Sequence, residues 1–360
     1  MIRKVVAAGL GAGVSVVTLR AVVRRGGERL IAAPRTTPDE AELGGAVDAL
    51  GGEVVRLRSR DGLQLTARWL PAAATMEAPA DPSAEPKAWR PDAHEAILLL
   101  HGWSGSSTPG LVEYGPFLRR TAGVLGLDSR GHGGSDAAPT TFGYLEVEDV
   151  AGALAWLGER GIERVAIVGM SMGGVTAIAA VAILGDGSLT SADGEPDAPA
   201  HVLPPRRPRI VAIVGDAVAP ELTVPIASRI GVPGARFVAG QLLDAAARRL
   251  GGDPRDTEPG RMIGLLEGMP ILLVSGDADS TVPLDDARRL AAVAPAGTTH
   301  WIVPGAEHGR AHATDPAAYE SRVTDHLRGA YASARGSGPI IGAPEAGSPD
   351  LPTQTDGPDR

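Results

Sequence analysis

A serine set among glycines and methionines, Gly169-Met170-Ser171-Met172-Gly173-Gly174, follows the apolar run Arg164-Val165-Ala166-Ile167-Val168 and precedes a helix-compatible run from Val175 to Leu184. That order is strand, sharp turn, helix. A serine held in such a turn projects its hydroxyl from the carboxyl end of a sheet, and the flanking glycines let the backbone make the bend. A serine hydroxyl is a poor nucleophile at neutral pH; it needs an adjacent base, and the base needs an orienting carboxylate. Both are present downstream. Ile271-Leu272-Leu273-Val274 leads into Ser275-Gly276-Asp277-Ala278-Asp279, which puts carboxylates just beyond a buried strand. His300-Trp301-Ile302-Val303 leads into Pro304-Gly305-Ala306-Glu307-His308, which puts an imidazole beyond the next one. In a parallel sheet all of these emerge at one edge, where open α/β sheets hold their ligands. Acyl transfer also needs backbone N–H donors aimed at the developing oxyanion. Leu99-Leu100-His101-Gly102-Trp103-Ser104-Gly105 supplies one at Trp103, and the serine turn supplies another at Met172. The competing reading of Ser171 is a helix N-cap serine, with no chemistry attached.

Five segments taken in order resemble the α/β-hydrolase-fold serine hydrolases, in the branch with H-G-x-x-G, D-x-R-G-x-G, G-x-S-x-G-G, G-x-x-D-x-x-V-P and a late G-x-x-H. The matching residues are His101 to Gly105, Asp128 to Gly133, Gly169 to Gly174, Gly276 to Pro283 and Gly305 to His308, and the resemblance spans Glu53 to Arg328. It implies an α/β-hydrolase fold: an eight-stranded, mostly parallel sheet with helices on both faces. It also implies a Ser171–Asp279–His308 triad and hydrolysis of an ester or amide with no cofactor and no metal. The family spacing favours Asp279 over Asp277, and Asp216, just after the Ile210 to Val214 run, is a further rival because some hydrolases draw the acid from that strand end. His308 is favoured over His312, one helical turn later. The two histidines have metal-ligand spacing but lack a Glu-x-x-His arrangement or a third clustered ligand. His101, His132, Asp128 and Arg130 read as residues that fix loops and turns. Trp103 either lines an acyl pocket or packs under a cap, and Met170 and Met172 read as apolar wall.

These residues need a scaffold, and the hydropathy pattern outlines one. Glu53 to Arg58 and Leu63 to Leu70 alternate around a turn at Asp61-Gly62, as a β-hairpin does. Continuous apolar runs follow at Ala96 to Leu100, Gly123 to Leu127, Val165 to Val168, Ile210 to Val214, Ile271 to Val274 and His300 to Val303, as expected of parallel strands covered on both faces. The hydrolase domain is expected over residues 53–330. Residues 217–268 contain an Ala/Leu-rich helical stretch and read as a small helical cap over the site, or else as an ordinary crossover helix with a long loop. Arg35 to Gly52 reads as a polar linker, Pro71 to His94 and Gly185 to Arg209 as loops, and 336–360 as a disordered tail.

Bulk composition narrows the function classes. The 360 residues hold 3% aromatics and abundant small side chains, which suit a sheet of β-branched and small residues better than an aromatic-rich sandwich. A net charge of −9 argues against a nucleic-acid partner, whose footprint is normally basic. The absence of cysteine removes disulfides, thiolate metal sites and cysteine nucleophiles together. Residues 1–34 form an N-terminal apolar segment in which 5–23 read as an uncleaved membrane anchor, with the catalytic domain on the cytoplasmic side. An amphipathic or packed helix of a cytoplasmic chain, and a cleaved signal peptide, are the alternatives. The expected function is a serine hydrolase cleaving a small-molecule carboxylic ester through an acyl-enzyme. Peptidase, thioesterase and acyltransferase share the triad. A membrane-anchored, non-catalytic binding protein is the reading from another class, and the intact Ser171, Asp279 and His308 argue against it.

Overall fold

Six strands form the parallel part of one sheet in the computed structural model, which describes residues 16–32, 40–73, 89–185 and 207–336, and all but the last of them, an edge strand, are largely buried, as apolar runs covered on both faces are. The strands are β1 (Glu53–Arg58), β2 (Gln64–Leu70), β3 (Glu95–Leu100), β4 (Gly123–Leu127), β5 (Arg164–Met170), β6 (Arg209–Asp216), β7 (Ile271–Gly276) and β8 (Thr299–Val303). Their order across the sheet is β1-β2-β4-β3-β5-β6-β7-β8. β2 runs antiparallel to both its neighbours, and every other pairing is parallel. β3, β4 and β7 are buried at every residue, whereas β1 at the edge is mostly exposed. The sheet is the mostly parallel, eight-stranded one the sequence predicts.

The helices are α1 (Val16–Ile31), α2 (Glu40–Ala49), α3 (Ser107–Leu118), α4 (Glu146–Gly158), α5 (Met172–Leu184), α6 (Thr223–Ile230), α7 (Ala235–Leu250), α8 (Pro259–Met262), α9 (Leu284–Ala292), α10 (Ala311–Thr314) and α11 (Pro316–Gly336). Strand side chains alternate between faces, so Leu98, Leu100 and Ile167 join a core with α4, α5, α6 and α7. Ile97, Leu99 and Val168 join a second core with α3 and α11 on the other face. α5 is apolar nearly all round and is correspondingly buried nearly all round. Tyr331 pins α11 to the sheet: its hydroxyl donates to the Ala96 carbonyl at 2.6 Å and accepts from the Ala166 N–H at 3.1 Å. The second bond falls where the β5–β6 register slips between Val165 and Ala166, so the side chain completes a ladder group that the irregularity frees.

Two stretches depart from the sequence reading. The polar linker expected over 35–52 contains helix α2, and Val47 is fully buried. Gly44-Gly45 hide this helix from propensity, but Val47 joins the core with Leu70, Phe117 and Leu118, and tertiary burial overrides the local preference. The apolar run at the N-terminus ends at Val23, yet α1 continues through Arg24-Arg25 to Ile31. Gly26 and Gly27 let α1 approach α7 closely, since a Cβ on Gly27 would come within 2.6 Å of the Ala245 Cβ. No helix among the described residues is long and apolar enough to cross a membrane. Residues 1–15, which hold most of the expected anchor, lie outside the described residues, as do 74–88, 186–206 and all of the expected tail at 336–360 except Gly336, which ends α11.

The stretch at 217–268 contains α6, α7 and α8 and is held by several polar contacts. Glu258 accepts the Leu222 N–H at 2.9 Å, and Ser228 Oγ donates to the Thr281 carbonyl at 3.0 Å. Arg236 pairs with Asp286 at 2.8 Å, and Arg289 bridges Asp286 and Glu221 at 2.5 and 3.1 Å. A more consequential ion pair braces the body. The Arg130 side chain, 2% exposed, reaches Asp149 at the start of α4 and Asp61 in the β1–β2 turn, both at 2.8 Å. Removing one partner leaves a buried charge uncompensated. Arg130→Ala is therefore expected to cost about 3–5 kcal/mol, measured by urea unfolding; a loss below about 1 kcal/mol would mean the pair behaves as a surface bridge.

Candidate active site

Ser171 joins β5 to α5 with φ 50° and ψ −112°, a left-handed conformation that a serine adopts only when its surroundings impose it. Its N–H donates to the Asp216 carbonyl at 2.7 Å, and its carbonyl accepts the Val175 N–H at 3.0 Å, the first bond of the helix. The glycines explain how the bend fits. A Cβ on Gly169 would overlap the Gly173 carbonyl, and one on Gly173 would overlap the Leu100 carbonyl oxygen at the end of β3. The side chain caps nothing in its own helix. Instead Ser171 Oγ lies 3.0 Å from His308 Nε2, with His308 carried on the loop after β8.

The other ring nitrogen, His308 Nδ1, is 2.8 Å from Asp279 Oδ2. Asp279 sits in the loop after β7 and is 5% exposed. Its Oδ1 accepts the N–H groups of Thr281 and Val282 at 2.7 and 2.8 Å, which fix the carboxylate plane. Of the three acids the sequence leaves in contention, this is the one that meets the imidazole. Asp277 is exposed and turns to the Gly305 N–H at 2.6 Å. Asp216 is buried at the end of β6 and accepts the Tyr319 hydroxyl at 3.1 Å. His312 faces Glu113 and Glu320 at 3.1 and 3.4 Å, and does not pair with His308.

Burial pushes the Asp216 carboxyl up to about 7, with the Tyr319 hydrogen bond and the field of His308 opposing the rise. An aspartate titrates near ~4 in an unfolded chain, so the folded state holds this proton more tightly. Its contribution to stability is full below about pH 4 and is lost as the pH rises through about 7. Asp216→Asn has no proton to lose. Thermal unfolding of the variant is expected to gain on the wild type by on the order of 1–3 kcal/mol between about pH 5 and about pH 8; a constant difference across that window would contradict the raised carboxyl.

The loop after β3 lies against the serine turn. A Cβ on Gly102 would sit 3.6 Å from both the Met170 carbonyl oxygen and Ser171 Cβ. The N–H of Trp103 and that of Met172, the first residue of α5, donate to no acceptor among the described residues. Two histidines hold this loop. His101 Nδ1–H donates to the Gly102 carbonyl at 2.8 Å while Nε2 accepts the Ser129 N–H at 3.1 Å. His132 Nδ1–H donates to the Arg130 carbonyl at 3.0 Å while Nε2 accepts the Ser104 N–H at 3.3 Å. Burial and the neighbouring His132 ring lower the His101 pKa to about 4, which keeps it the neutral acceptor that Ser129 requires.

A further brace was not legible from motifs. Glu146 accepts the N–H groups of Thr141 and Gly143 at 2.7 and 2.9 Å and the Thr141 hydroxyl at 2.6 Å. The loop so ordered touches both donor-bearing residues: the Thr140 hydroxyl donates to Met172 Sδ at 3.4 Å, and the Phe142 ring lies 6.4 Å from that of Trp103. The Met172 side chain is thus turned into the core, contrary to its reading as pocket wall. Trp103 packs beneath α6, with the Arg229 guanidinium 4.5 Å over its ring. The available signal was an acidic residue at a helix start following Thr-Thr, a pattern that anchors backbone N–H groups.

Comparison with known proteins bears on the family. Over residues 97–322, more than half of the chain, the sequence matches the model of the alpha/beta hydrolase family. Among solved structures the chain is similar to the Pyrococcus furiosus esterase Pf2001, with 18% identity and a TM-score of 0.55 over 82% of this chain and 98% of that one. It is also similar to the alpha/beta hydrolase GrgF from Penicillium sp. sh18 (18% identity, TM-score 0.53, 78% and 99% covered). A third is the esterase RhEst1 from Rhodococcus sp. ECU1013 (19% identity, TM-score 0.51, 77% and 99% covered). At these identities the likeness is one of fold. No curated protein matches the sequence. With the family model laid over the sheet, the serine turn and the histidine loop just described, the chain belongs to the alpha/beta hydrolase family.

Proposed function

We propose that the chain is a serine hydrolase that cleaves carboxylic esters through an acyl-enzyme. The observation that carries this reading is the continuous hydrogen-bonded line from Ser171 Oγ to His308 at 3.0 Å and from His308 to Asp279 at 2.8 Å. His308 Nε2 takes the hydroxyl proton as Ser171 attacks the ester carbonyl, while Asp279 holds the ring and stabilises the imidazolium. The N–H groups of Trp103 and Met172 receive the oxyanion. His308 then returns the proton to the departing alkoxide, and water, deprotonated by the same ring, releases the acyl group. Esters are favoured over amides because the alkoxide leaves more readily, and the esterases among the similar structures support the same choice.

The test is intact-mass labelling of the full chain with a fluorophosphonate, alongside turnover of short-chain nitrophenyl esters. One adduct on Ser171 together with ester turnover is the expected result. A folded protein that takes no label and turns over no ester would overturn the reading.

A further inference from the structure

Helix α6 carries a cation that no acid neutralises among the described residues. Arg229 lies in its last turn, exposed at the surface, with the guanidinium 4.5 Å over the Trp103 ring. Its position relative to the catalytic line is fixed from two sides. The neighbouring Ser228 Oγ donates to the Thr281 carbonyl at 3.0 Å, and the Thr281 N–H donates to Asp279 Oδ1 at 2.7 Å. Trp103 follows Gly102, on which a Cβ would sit 3.6 Å from Ser171 Cβ. Arg229 therefore stands between the loop that holds the acid and the loop that holds the proposed oxyanion donor.

The acids near it are engaged elsewhere. Asp279 is taken by His308, Thr281 and Val282, and Asp277 by the Gly305 N–H. Glu221, just ahead of α6, pairs with Arg236 at 3.7 Å and Arg289 at 3.1 Å, and Asp286 pairs with the same two arginines at 2.8 and 2.5 Å. Arg229 itself has no ion pair and no hydrogen bond among the described residues. Desolvation holds its pKa below the ordinary arginine value, and no carboxylate offsets that cost.

A guanidinium stacked on a ring keeps its N–H edge free, and that planar fork matches a carboxylate. The stack also orients the fork before anything binds, so less rotamer freedom is lost on binding. One positive charge balances a carboxylate and leaves a phosphate dianion half compensated. The competing reading is a clamp, in which the cation–π contact and the helix dipole tie α6 to Trp103. A clamp serves charged and neutral esters alike, and a recognition residue does not.

We propose that Arg229 is a specificity-determining residue, and that the substrate is an ester bearing a carboxylate that pairs with this guanidinium above Trp103. The proposal rests on the esterase reading above. A second arginine without an ion pair or hydrogen bond among the described residues, Arg310, lies two residues after His308. Its charge is felt at Tyr114, in the core on the opposite sheet face, where Tyr114 and Asp216 line a cavity of about 250 Å³. Arg310 therefore supplies a control for attraction at long range.

The test compares esters in which a carboxylate replaces a methyl group. Monoethyl glutarate against ethyl pentanoate places it on the acyl part, and 3-acetoxypropanoate against propyl acetate places it on the alcohol. The full-length protein is expected to prefer the anionic ester in one pair by about tenfold or more in kcat/KM, through KM, and that pair names the half that carries the charge. Arg229→Gln is expected to bring the ratio to about one, and Arg310→Gln to keep it. Where Arg229→Gln does not fold, Arg229→Lys keeps the charge without the fork and is expected to lower the preference severalfold. No preference in either pair overturns the proposal, as does a preference unchanged in Arg229→Gln or Arg229→Lys, or one lost equally in Arg310→Gln. Equal turnover of charged and neutral esters removes this inference alone. If no ester is turned over, calorimetric titration of Ser171→Ala with monoethyl glutarate and ethyl pentanoate reads binding by itself. Selective binding of the anion there removes only the esterase reading, and equal binding removes both.

Discussion

Ser171→Ala is expected to reduce ester turnover about 10⁴–10⁶-fold and to abolish fluorophosphonate labelling, with the fold intact. The second half of that expectation follows from what the hydroxyl touches. It makes no capping bond to α5, and its side-chain partner is His308. The left-handed backbone at Ser171 is held by the N–H bond to the Asp216 carbonyl and by the close fit of Gly169 and Gly173, none of which involves the hydroxyl. Alanine tolerates the same φ no worse than serine. Loss of activity with an unchanged melting curve would therefore isolate the nucleophile from the scaffold. Residual turnover above the solution rate is expected, because the donors at Trp103 and Met172 remain. A variant that still takes the label would place the reactive hydroxyl elsewhere.

Asp279→Asn carries the second large effect, a fall in kcat of about 10⁴-fold. The local hydrogen bonds decide how the amide must sit. Two backbone N–H groups, of Thr281 and Val282, point at the Oδ1 position and require an oxygen there. The amide nitrogen is thereby turned toward His308 Nδ1, which must then be the acceptor. The ring proton moves to Nε2, the atom that faces Ser171 Oγ, and the base is lost while the geometry survives. Rate measurements on Asp279→Asn and Asp216→Asn check this. Full activity in the first with none in the second would move the acid to the end of β6.

Much of this arrangement is legible in the sequence. A strand buried on both faces has to be apolar throughout, so β3, β4, β6 and β7 announce themselves without any knowledge of their partners. The serine turn is equally local, because its glycines are demanded by backbone within a few residues and by the neighbouring β3 carbonyl. α2 was not legible: its ten residues include two adjacent glycines, and it is held by Val47 reaching a core assembled from β2 and α3. The Thr140 to Glu146 brace escaped notice for a related reason. Its hydrogen bonds are local, but its value lies in touching Met172 and Trp103, which are distant in the chain.

The choice among the acids shows where sequence reading stops. Asp216, Asp277 and Asp279 all lie at or just beyond strand ends on one sheet edge, and hydropathy treats them alike. Which one meets His308 depends on the direction each side chain takes from its loop. That direction is set by backbone donors at Thr281, Val282 and Gly305 and by a tyrosine 103 residues away. The strands, the serine turn and the candidate groups for the proposed acyl chemistry are legible from residue order alone, because burial and tight turns constrain residue type locally. Which acid pairs with the imidazole and which lies against a cavity rests on contacts between segments far apart in the chain, which hydropathy cannot relate.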